Sequence, residues 1–236
     1  MKKLFGNRSN YIMKEKIKKH ILWTYQTFIN FIFPAFCLSC KKEGFLLCST
    51  CASKIKRSDY KKKNWINPLF DYKDETIKKA IWKLKYREKT ALAKPLACLL
   101  YEHIIDELAD ANIFKTMEKP MLIAIPLSKK RMRERGYNQS LLISKEMSFI
   151  KNSPFELRKD VLYKIKDSEN QADIKDRLKR MKNLKGCFCV KNKKVIHNRN
   201  IVLIDDVVTT GATLTEARKV LKKAGAKKVI AFTLAH

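Results

Sequence analysis

The stretch NIVLIDDVVTTGATLTEARKVL, residues 200–221, constrains the fold more than any other part of the sequence. Four apolar residues run directly into Asp205 and Asp206, and a short loop rich in Thr and Gly leads into a helical pattern. A continuous apolar run of this length predicts a strand that is buried on both faces, as in parallel sheets covered by helices. Further short apolar runs alternate with helical segments, so we predict an α/β fold with a mainly parallel sheet flanked by helices.

The same stretch predicts a site for a phosphorylated ligand. Open α/β sheets bind ligands beyond the carboxyl ends of their strands, where the two carboxylates stand. The loop places unpaired backbone N–H groups at a helix N-terminus, and a glycine allows the backbone to approach an anion closely. Capping of the helix explains the motif less well, because a cap needs only one Asp. Phosphate donors beside hydroxyl acceptors suit a sugar phosphate, bound by Asp205, Asp206, Val208, Thr209, Thr210, Gly211, Ala212 and Thr213.

A second segment, residues 127–136, follows a short strand that ends at Pro126 and carries five basic residues against one acid. We predict a basic loop there. Its residue types fit a solvated loop, and they also fit a loop that binds pyrophosphate or a nucleic-acid backbone. The basic residues of this loop are Lys129, Lys130, Arg131, Arg133 and Arg135.

Four of the seven cysteines form the compact pattern CLSCKKEGFLLCSTC. Two Cys-x-x-Cys turns place four thiolates where they can complete a tetrahedral Zn²⁺ site, and iron–sulfur is the alternative. No fifth ligand is evident, so we predict a closed, structural zinc site. An odd number of cysteines favours a reducing compartment over a disulfide framework, which indicates a cytoplasmic protein. The predicted ligands are Cys37, Cys40, Cys48 and Cys51.

The N-terminal residues, 1–33, are basic first and apolar later. Polar residues interrupt the apolar part, which is too short to span a bilayer and lacks a cleavage site typical of signal peptides. Helical spacing of its apolar residues predicts an amphipathic helix that docks on its own protein or makes peripheral contact at the inner face of the membrane. We expect no transmembrane span.

The formal net charge is +29, from 52 basic and 23 acidic residues. Such an excess suits a polyanionic partner, such as nucleic acid or a phosphorylated ligand. Most of the basic residues are lysines, so a compositional bias toward lysine explains the charge equally well.

The stretch 200–221 closely resembles the phosphoribosyl-pyrophosphate (PRPP) signature of type I phosphoribosyltransferases. The resemblance implies that Asp205 and Asp206 hold the ribose and stabilise charge that develops there during catalysis. It also implies that residues 209–213 surround the 5′-phosphate. Mg²⁺ would accompany PRPP, held largely by substrate oxygens and water.

Other motifs resemble the ComF family of competence-associated proteins, in which a zinc module precedes a phosphoribosyltransferase domain. The string RERGYNQ is similar to the RERGFNQ element of that family, and its last five residues are Arg135, Gly136, Tyr137, Asn138 and Gln139. Further similar positions are Leu84, Lys85, Tyr86, Gln171, Arg177, Arg180 and Asn183. The resemblance implies four segments: an N-terminal extension (1–33), a four-cysteine zinc module (34–56), a linker (57–74) and a phosphoribosyltransferase-like domain (75–236).

Two functions remain open from the sequence. In the first, the protein binds PRPP with Mg²⁺ and supports uptake or processing of single-stranded DNA in natural transformation, beside a DNA-uptake helicase or processing proteins. Tyr86, Tyr137 and the basic residues of 164–199 would then form a groove for the strand, unless they are a solvated face. In the second, the protein is a phosphoribosyltransferase that acts on an unidentified small acceptor. No general base for such an acceptor is evident, because the four histidines show no spacing typical of a site.

Overall fold

The computed structural model describes residues 34–60, 63–86, 89–110, 119–166 and 186–236. The chain divides into two compact units after Ala52. The amphipathic helix expected within residues 1–33 lies outside the described residues, and so do Gln171, Arg177, Arg180 and Asn183.

The larger unit is built on a sheet of five strands in the order β1-β7-β6-β2-β3. Every neighbouring pair in this sheet is parallel, which confirms the predicted α/β fold with a mainly parallel sheet. The strands are β1 (Ile66–Phe70), β2 (Met121–Ala124), β3 (Glu156–Leu157), β6 (Asn200–Val207) and β7 (Lys228–Ala235). A separate antiparallel pair consists of β4 (Leu162–Lys164) and β5 (Phe188–Val190).

Helices cover this sheet, as the continuous apolar strands require. The strand β6 is buried from Ile201 to Ile204, and β7 is buried from Val229 to Ala235. The smaller unit contains α1 (Ser49–Ser53) up to Ala52. The helices of the larger unit are α2 (Glu75–Tyr86), α3 (Ala93–Asp110), α4 (Lys129–Arg135), α5 (Gln139–Ser148), α6 (Lys193–Ile196) and α7 (Ala212–Lys223), with a 3₁₀ turn at Thr90–Leu92. None of the helices in the described segments has the length and apolar character to cross a bilayer.

The register of the sheet explains why the acidic pair is accessible. Ile204 pairs with Ala124 on one side and with Phe232 on the other. The strand β2 ends there, so β6 continues past it with a partner on one side only, and Asp205 pairs with Thr233 of β7. The carboxylates therefore stand at the edge where the sheet opens.

Two expectations about the chain are corrected by this fold. Part of the expected linker 57–74 is the edge strand β1, which pairs with β7. The sequence did not reveal this strand because lysines precede it and Pro68 lies within it, although proline is tolerated in an edge strand. The expected basic loop is largely the helix α4, capped by the Ser128 hydroxyl, which accepts from the Arg131 N–H, and ended by Gly136 at a φ of 73°. This helix buries no residue, so no apolar periodicity marked it in the sequence.

Candidate ligand cavity and metal centre

A cavity of about 620 Å³ opens at the end of β6, beside the N-terminus of α7. Every residue of the predicted sugar-phosphate motif lines it, from Asp205 through Thr213. The cavity also receives side chains from α2, α4 and the segment after β2, so residues distant in sequence meet there. Those residues include Tyr72, Lys85, Ser128, Arg131, Arg135, Lys164 and His236.

The two aspartates have different surroundings. Oδ1 of Asp205 accepts from the Ser140 hydroxyl at 3.1 Å and from the backbone N–H of Asp206 at 2.9 Å. Oδ2 of Asp206 forms an ion pair with Nζ of Lys85 at 3.0 Å. Burial, and then the neighbouring charge of Asp206, raise the pKa of Asp205 to about 7. One carboxylate is therefore held by a counter-charge, while the other retains a proton close to neutral pH.

The loop between β6 and α7 presents donors to the cavity. The backbone N–H of Val208 is used within the fold, since it donates to Ala235 O at 3.0 Å. Within the described segments, the N–H groups of Thr209, Thr210 and Gly211 donate no hydrogen bond. These donors precede a twelve-residue helix, whose N-terminus favours an anion.

Gly211 is required at the start of α7 by its backbone and by its surroundings. Its φ of 69° lies in the left-handed region, which other residues adopt at a cost. A Cβ atom there would lie 3.0 Å from Cδ1 of Ile66 and 3.6 Å from both Lys63 Nζ and Tyr60 OH. The loop thus packs tightly against the segment that leads into β1.

The RGYNQ string joins α2 to the end of β2. The Tyr137 hydroxyl donates to Leu84 O at 2.5 Å, and Arg135 donates to the Tyr86 hydroxyl at 3.2 Å. The buried amide of Asn138 donates to Ile125 O at 2.9 Å, and its oxygen caps α5. These contacts hold the C-terminal turn of α2, and therefore Lys85, beside Asp206.

The structure separates the predicted basic residues into two sets. Arg131 and Arg135 line the cavity, one helical turn apart on α4. Lys129, Lys130 and Arg133 are exposed and lie outside the lining. Gly136, Tyr137, Asn138 and Gln139 also lie outside it, and their contacts organise the neighbouring backbone.

Several lining residues had no assigned role in the predicted site, among them Lys85, Ser128, Lys164 and His236. A signal for Lys85 existed, because it belongs to the string Leu84, Lys85 and Tyr86 that resembles the ComF family. His236 and Lys164 carry no such local signal, since they reach the cavity through the pairing of β7 and of β4 with distant strands.

In the smaller unit, the sulfur atoms of Cys37, Cys40, Cys48 and Cys51 all lie within 4.8 Å of one another. The Sγ atom of Cys48 is 3.7 Å from that of Cys37 and 3.6 Å from that of Cys40. A tetrahedral Zn²⁺ with bonds of about 2.3 Å would separate its sulfur ligands by about 3.8 Å. The predicted ligands thus fit a zinc ion in spacing and in chemistry.

The backbone around Cys37 is arranged to receive a thiolate. Burial opposes ionisation of Cys37, but hydrogen bonds from the backbone of Cys48, Ser39 and Cys40 outweigh it and lower its pKa to about 6. The backbone N–H of Cys48 donates to Sγ of Cys37 at 3.5 Å. Amides directed at sulfur stabilise the deprotonated form that a metal requires. At Cys48 a hydrogen bond from the Cys51 backbone lowers the pKa, but burial and the neighbouring thiols outweigh it and raise the pKa to about 11.

Comparisons with known proteins show which families and relatives this chain is similar to. The family described as phosphoribosyl transferase domain matches residues 137–236. Competence protein F of Haemophilus influenzae is 28% identical over 213 residues, which cover 85% of this chain and 90% of that protein. Competence protein ComFC of Bacillus subtilis is 35% identical over 115 residues, covering 48% of this chain and 43% of that protein. DNA utilization protein YhgH of Escherichia coli (strain K12) is 29% identical over 150 residues, covering 63% of this chain and 62% of that protein.

Proposed function

Because this chain belongs to the ComF family and carries a phosphoribosyl transferase domain, we propose that it binds PRPP with Mg²⁺ and supports the uptake or processing of single-stranded DNA in natural transformation. The main support for PRPP binding is that Asp205 and Asp206 line the same cavity as residues 209–211, whose backbone N–H groups donate no hydrogen bond within the described segments. Carboxylates accept hydrogen bonds from ribose hydroxyls, and the amides at the start of α7 donate to the 5′-phosphate.

The cations around the cavity support a ligand with more than one phosphate. Lys85, Arg131, Arg135 and Lys164 line it against the two aspartates. Arginine binds phosphate oxygens in a bidentate manner, so the pair on α4 suits the pyrophosphate of PRPP. Mg²⁺ would be held largely by ligand oxygens and water, and it would offset the charge of the pyrophosphate.

The DNA role is supported by the relatives and by charge. Two relatives are described as competence proteins and one as a DNA utilization protein. The net charge of +29 suits a polyanionic partner, although a bias toward lysine would produce it as well. Partners would then include a DNA-uptake helicase or processing proteins. The protein would act in the cytoplasm, with the zinc ion of the four-cysteine cluster stabilising the small unit and residues 1–33 available for peripheral membrane contact.

A second candidate function is phosphoribosyl transfer to a small acceptor, and one observation favours it. The pKa of Asp205, raised to about 7, suits a group that exchanges a proton near neutral pH. In this reaction the acceptor attacks the anomeric carbon of the ribose, the bond to pyrophosphate breaks, and the acceptor's proton passes to the Asp205 carboxylate.

Calorimetric titration of PRPP with Mg²⁺ tests the proposal. We expect the wild-type protein to bind, and the double variant Asp205→Asn with Asp206→Asn to bind at least about tenfold more weakly, since it loses charge-assisted hydrogen bonds. Asp160→Asn, on a segment outside the cavity lining, is the matched control and should bind like the wild type. Equal affinities of the double variant and the wild type would refute the pocket. Release of pyrophosphate in the presence of a nucleobase, lost in Asp205→Asn, would establish the second function.

A further inference from the structure

The outer face of α2 carries two exposed aromatic rings next to several cations. We infer that this face is the docking site of the DNA strand, with bases stacking on Trp82 and Tyr86. We refer to Lys79, Trp82, Lys83, Tyr86 and Arg135 as the α2 platform. The inference rests on the proposed DNA role and adds the place where the strand binds.

The sequence of α2 determines which residues face outward. Ile77, Ala80, Ile81 and Leu84 are buried, so the opposite side of the helix faces solvent. Trp82 and Tyr86 lie one turn apart on that side and remain 44% and 57% exposed. Their ring centroids are 6.1 Å apart and their planes are tilted by 48°, so they offer two adjacent aromatic faces at an angle to each other.

Arg135 fixes the position of the second ring. Its guanidinium lies 5.1 Å from the centroid of the Tyr86 ring and donates to the Tyr86 hydroxyl at 3.2 Å. A cation held on one aromatic ring adds a contact of its own to a stacked base or to a phosphate. Because Arg135 also lines the cavity, the platform adjoins the proposed PRPP site.

Charge identifies the class of partner. The helix α2 contains four lysines and one acid, and α4 contains five basic residues and one acid. A surface of this charge would repel most cationic partners and attract a phosphate backbone. Exposed rings beside a basic surface suit single strands, whose bases have free faces, whereas the faces of bases in a duplex are already stacked.

Binding of a fluorescent oligo(dT) strand to the full chain, measured by anisotropy across a salt series, tests the inference. We expect Trp82→Ala and Tyr86→Ala each to weaken binding by about 5- to 150-fold without changing the salt dependence, because a stacking contact carries no charge. Lys83→Met should instead reduce the slope of log affinity against log salt by about 0.7. Phe149→Ala removes an exposed ring, 79% accessible, at the end of α5 and should bind like the wild type.

Two further measurements separate loss of the platform from loss of the fold or of the proposed function. Trp82→Phe keeps a stacking surface and should retain most of the affinity, and Trp82→Ala should bind PRPP as the wild type does. If the wild type binds oligo(dT) and both aromatic variants bind it equally well, the platform is overturned while the DNA role stands. If the wild type has no measurable affinity for oligo(dT), the platform and the DNA role are both overturned. Equal losses for duplex and single strands would also overturn it, since stacking on free base faces would not explain them.

Discussion

The Nζ atom of Lys85 lies 3.0 Å from Oδ2 of Asp206, and the two side chains are only 17% and 13% exposed. One comes from the last turn of α2 and the other from the end of β6. The pair engages one of the two carboxylates that the proposed ribose site needs. A bound ribose must therefore share Asp206 with Lys85, or Lys85 must turn toward the phosphates of the ligand.

Replacement of this lysine should destabilise the protein in a pH-dependent way. We expect Lys85→Met to lower the free energy of unfolding by about 1–2 kcal/mol at about pH 8, because two adjacent carboxylates lose their counter-charge. The loss should shrink at about pH 5, where Asp205 holds a proton and only one carboxylate is charged. Urea denaturation at both pH values measures the difference. Lys94→Met, at an exposed position on α3, serves as the control, and an equal loss at both pH values would contradict an electrostatic origin.

The raised pKa of Asp205 predicts a gain in stability on its removal. The carboxyl has a pKa of about 7 in the folded protein against an ordinary value of 3.8, so the folded state binds the proton more tightly than the unfolded state. The stability that this proton binding contributes is fully present below about pH 4 and is lost as the pH rises through about 7. We expect Asp205→Asn to raise the free energy of unfolding by about 1–3 kcal/mol at about pH 8 and to change it little at about pH 4.

The control for this prediction is an aspartate whose surroundings shift its pKa in the opposite direction. Asp205 faces Asp206, Lys85 and the Ser140 hydroxyl, which an asparagine oxygen can still accept from. By contrast, the Arg158 guanidinium lowers the pKa of Asp160 to about 2. Asp160→Asn should therefore lower stability at about pH 8, the opposite sign. A stability difference between Asp205→Asn and wild type that is constant across this pH range would contradict the account.

Gly211 should matter for ligand binding beyond its backbone conformation. Gly211→Ala places a methyl group 3.0 Å from Cδ1 of Ile66, and the loop must shift to relieve the contact. We expect a loss of about 1–3 kcal/mol in stability together with a loss of PRPP affinity of at least about tenfold. Gly186→Ala is the matched control, because its φ of 71° is similar but its Cβ would meet nothing within 4 Å. Gly186→Ala should lose stability but keep the PRPP affinity of the wild type. Equal PRPP affinities for the two variants would refute the role of the loop.

The four-cysteine site predicts one tightly bound zinc ion per chain. Elemental analysis should find this zinc in the wild type and in Cys98→Ser, which changes an exposed cysteine outside the cluster. Cys40→Ser should lose it, because three thiolates hold Zn²⁺ less tightly than four. A wild-type protein that contains no zinc, or a Cys40→Ser variant that retains a full equivalent, would contradict the site.

Local patterns predicted the parts of this protein that local chemistry determines. The strand β6, the loop at residues 208–211 and the helix α7 follow from an uninterrupted apolar run and a glycine at a left-handed turn. The clustering of the four cysteines follows from the short spacing within and between the two Cys-x-x-Cys turns. These features depend on residues close together in the chain, so a single sequence is sufficient.

The remaining parts of the site depend on contacts between distant residues or on helix phase. The pairing of Lys85 with Asp206 results from the RGYNQ contacts that hold α2, which no periodicity reveals. Within the basic segment, the sequence offered five equivalent cations. Helical geometry selects Arg131 and Arg135, which are four residues apart and share one face. A loop has no regular phase, so predicting a loop could not separate Arg131 and Arg135 from the other three basic residues.

A crystal structure of the protein with PRPP and Mg²⁺ tests the central claim most directly. We expect the 5′-phosphate within hydrogen-bond distance of the backbone N–H groups of residues 209–211, and the ribose hydroxyls within hydrogen-bond distance of Asp205 and Asp206. We also expect the pyrophosphate to contact Arg131 or Arg135. PRPP bound elsewhere, or a fully occupied cavity in which no ribose hydroxyl contacts either aspartate, would contradict this claim.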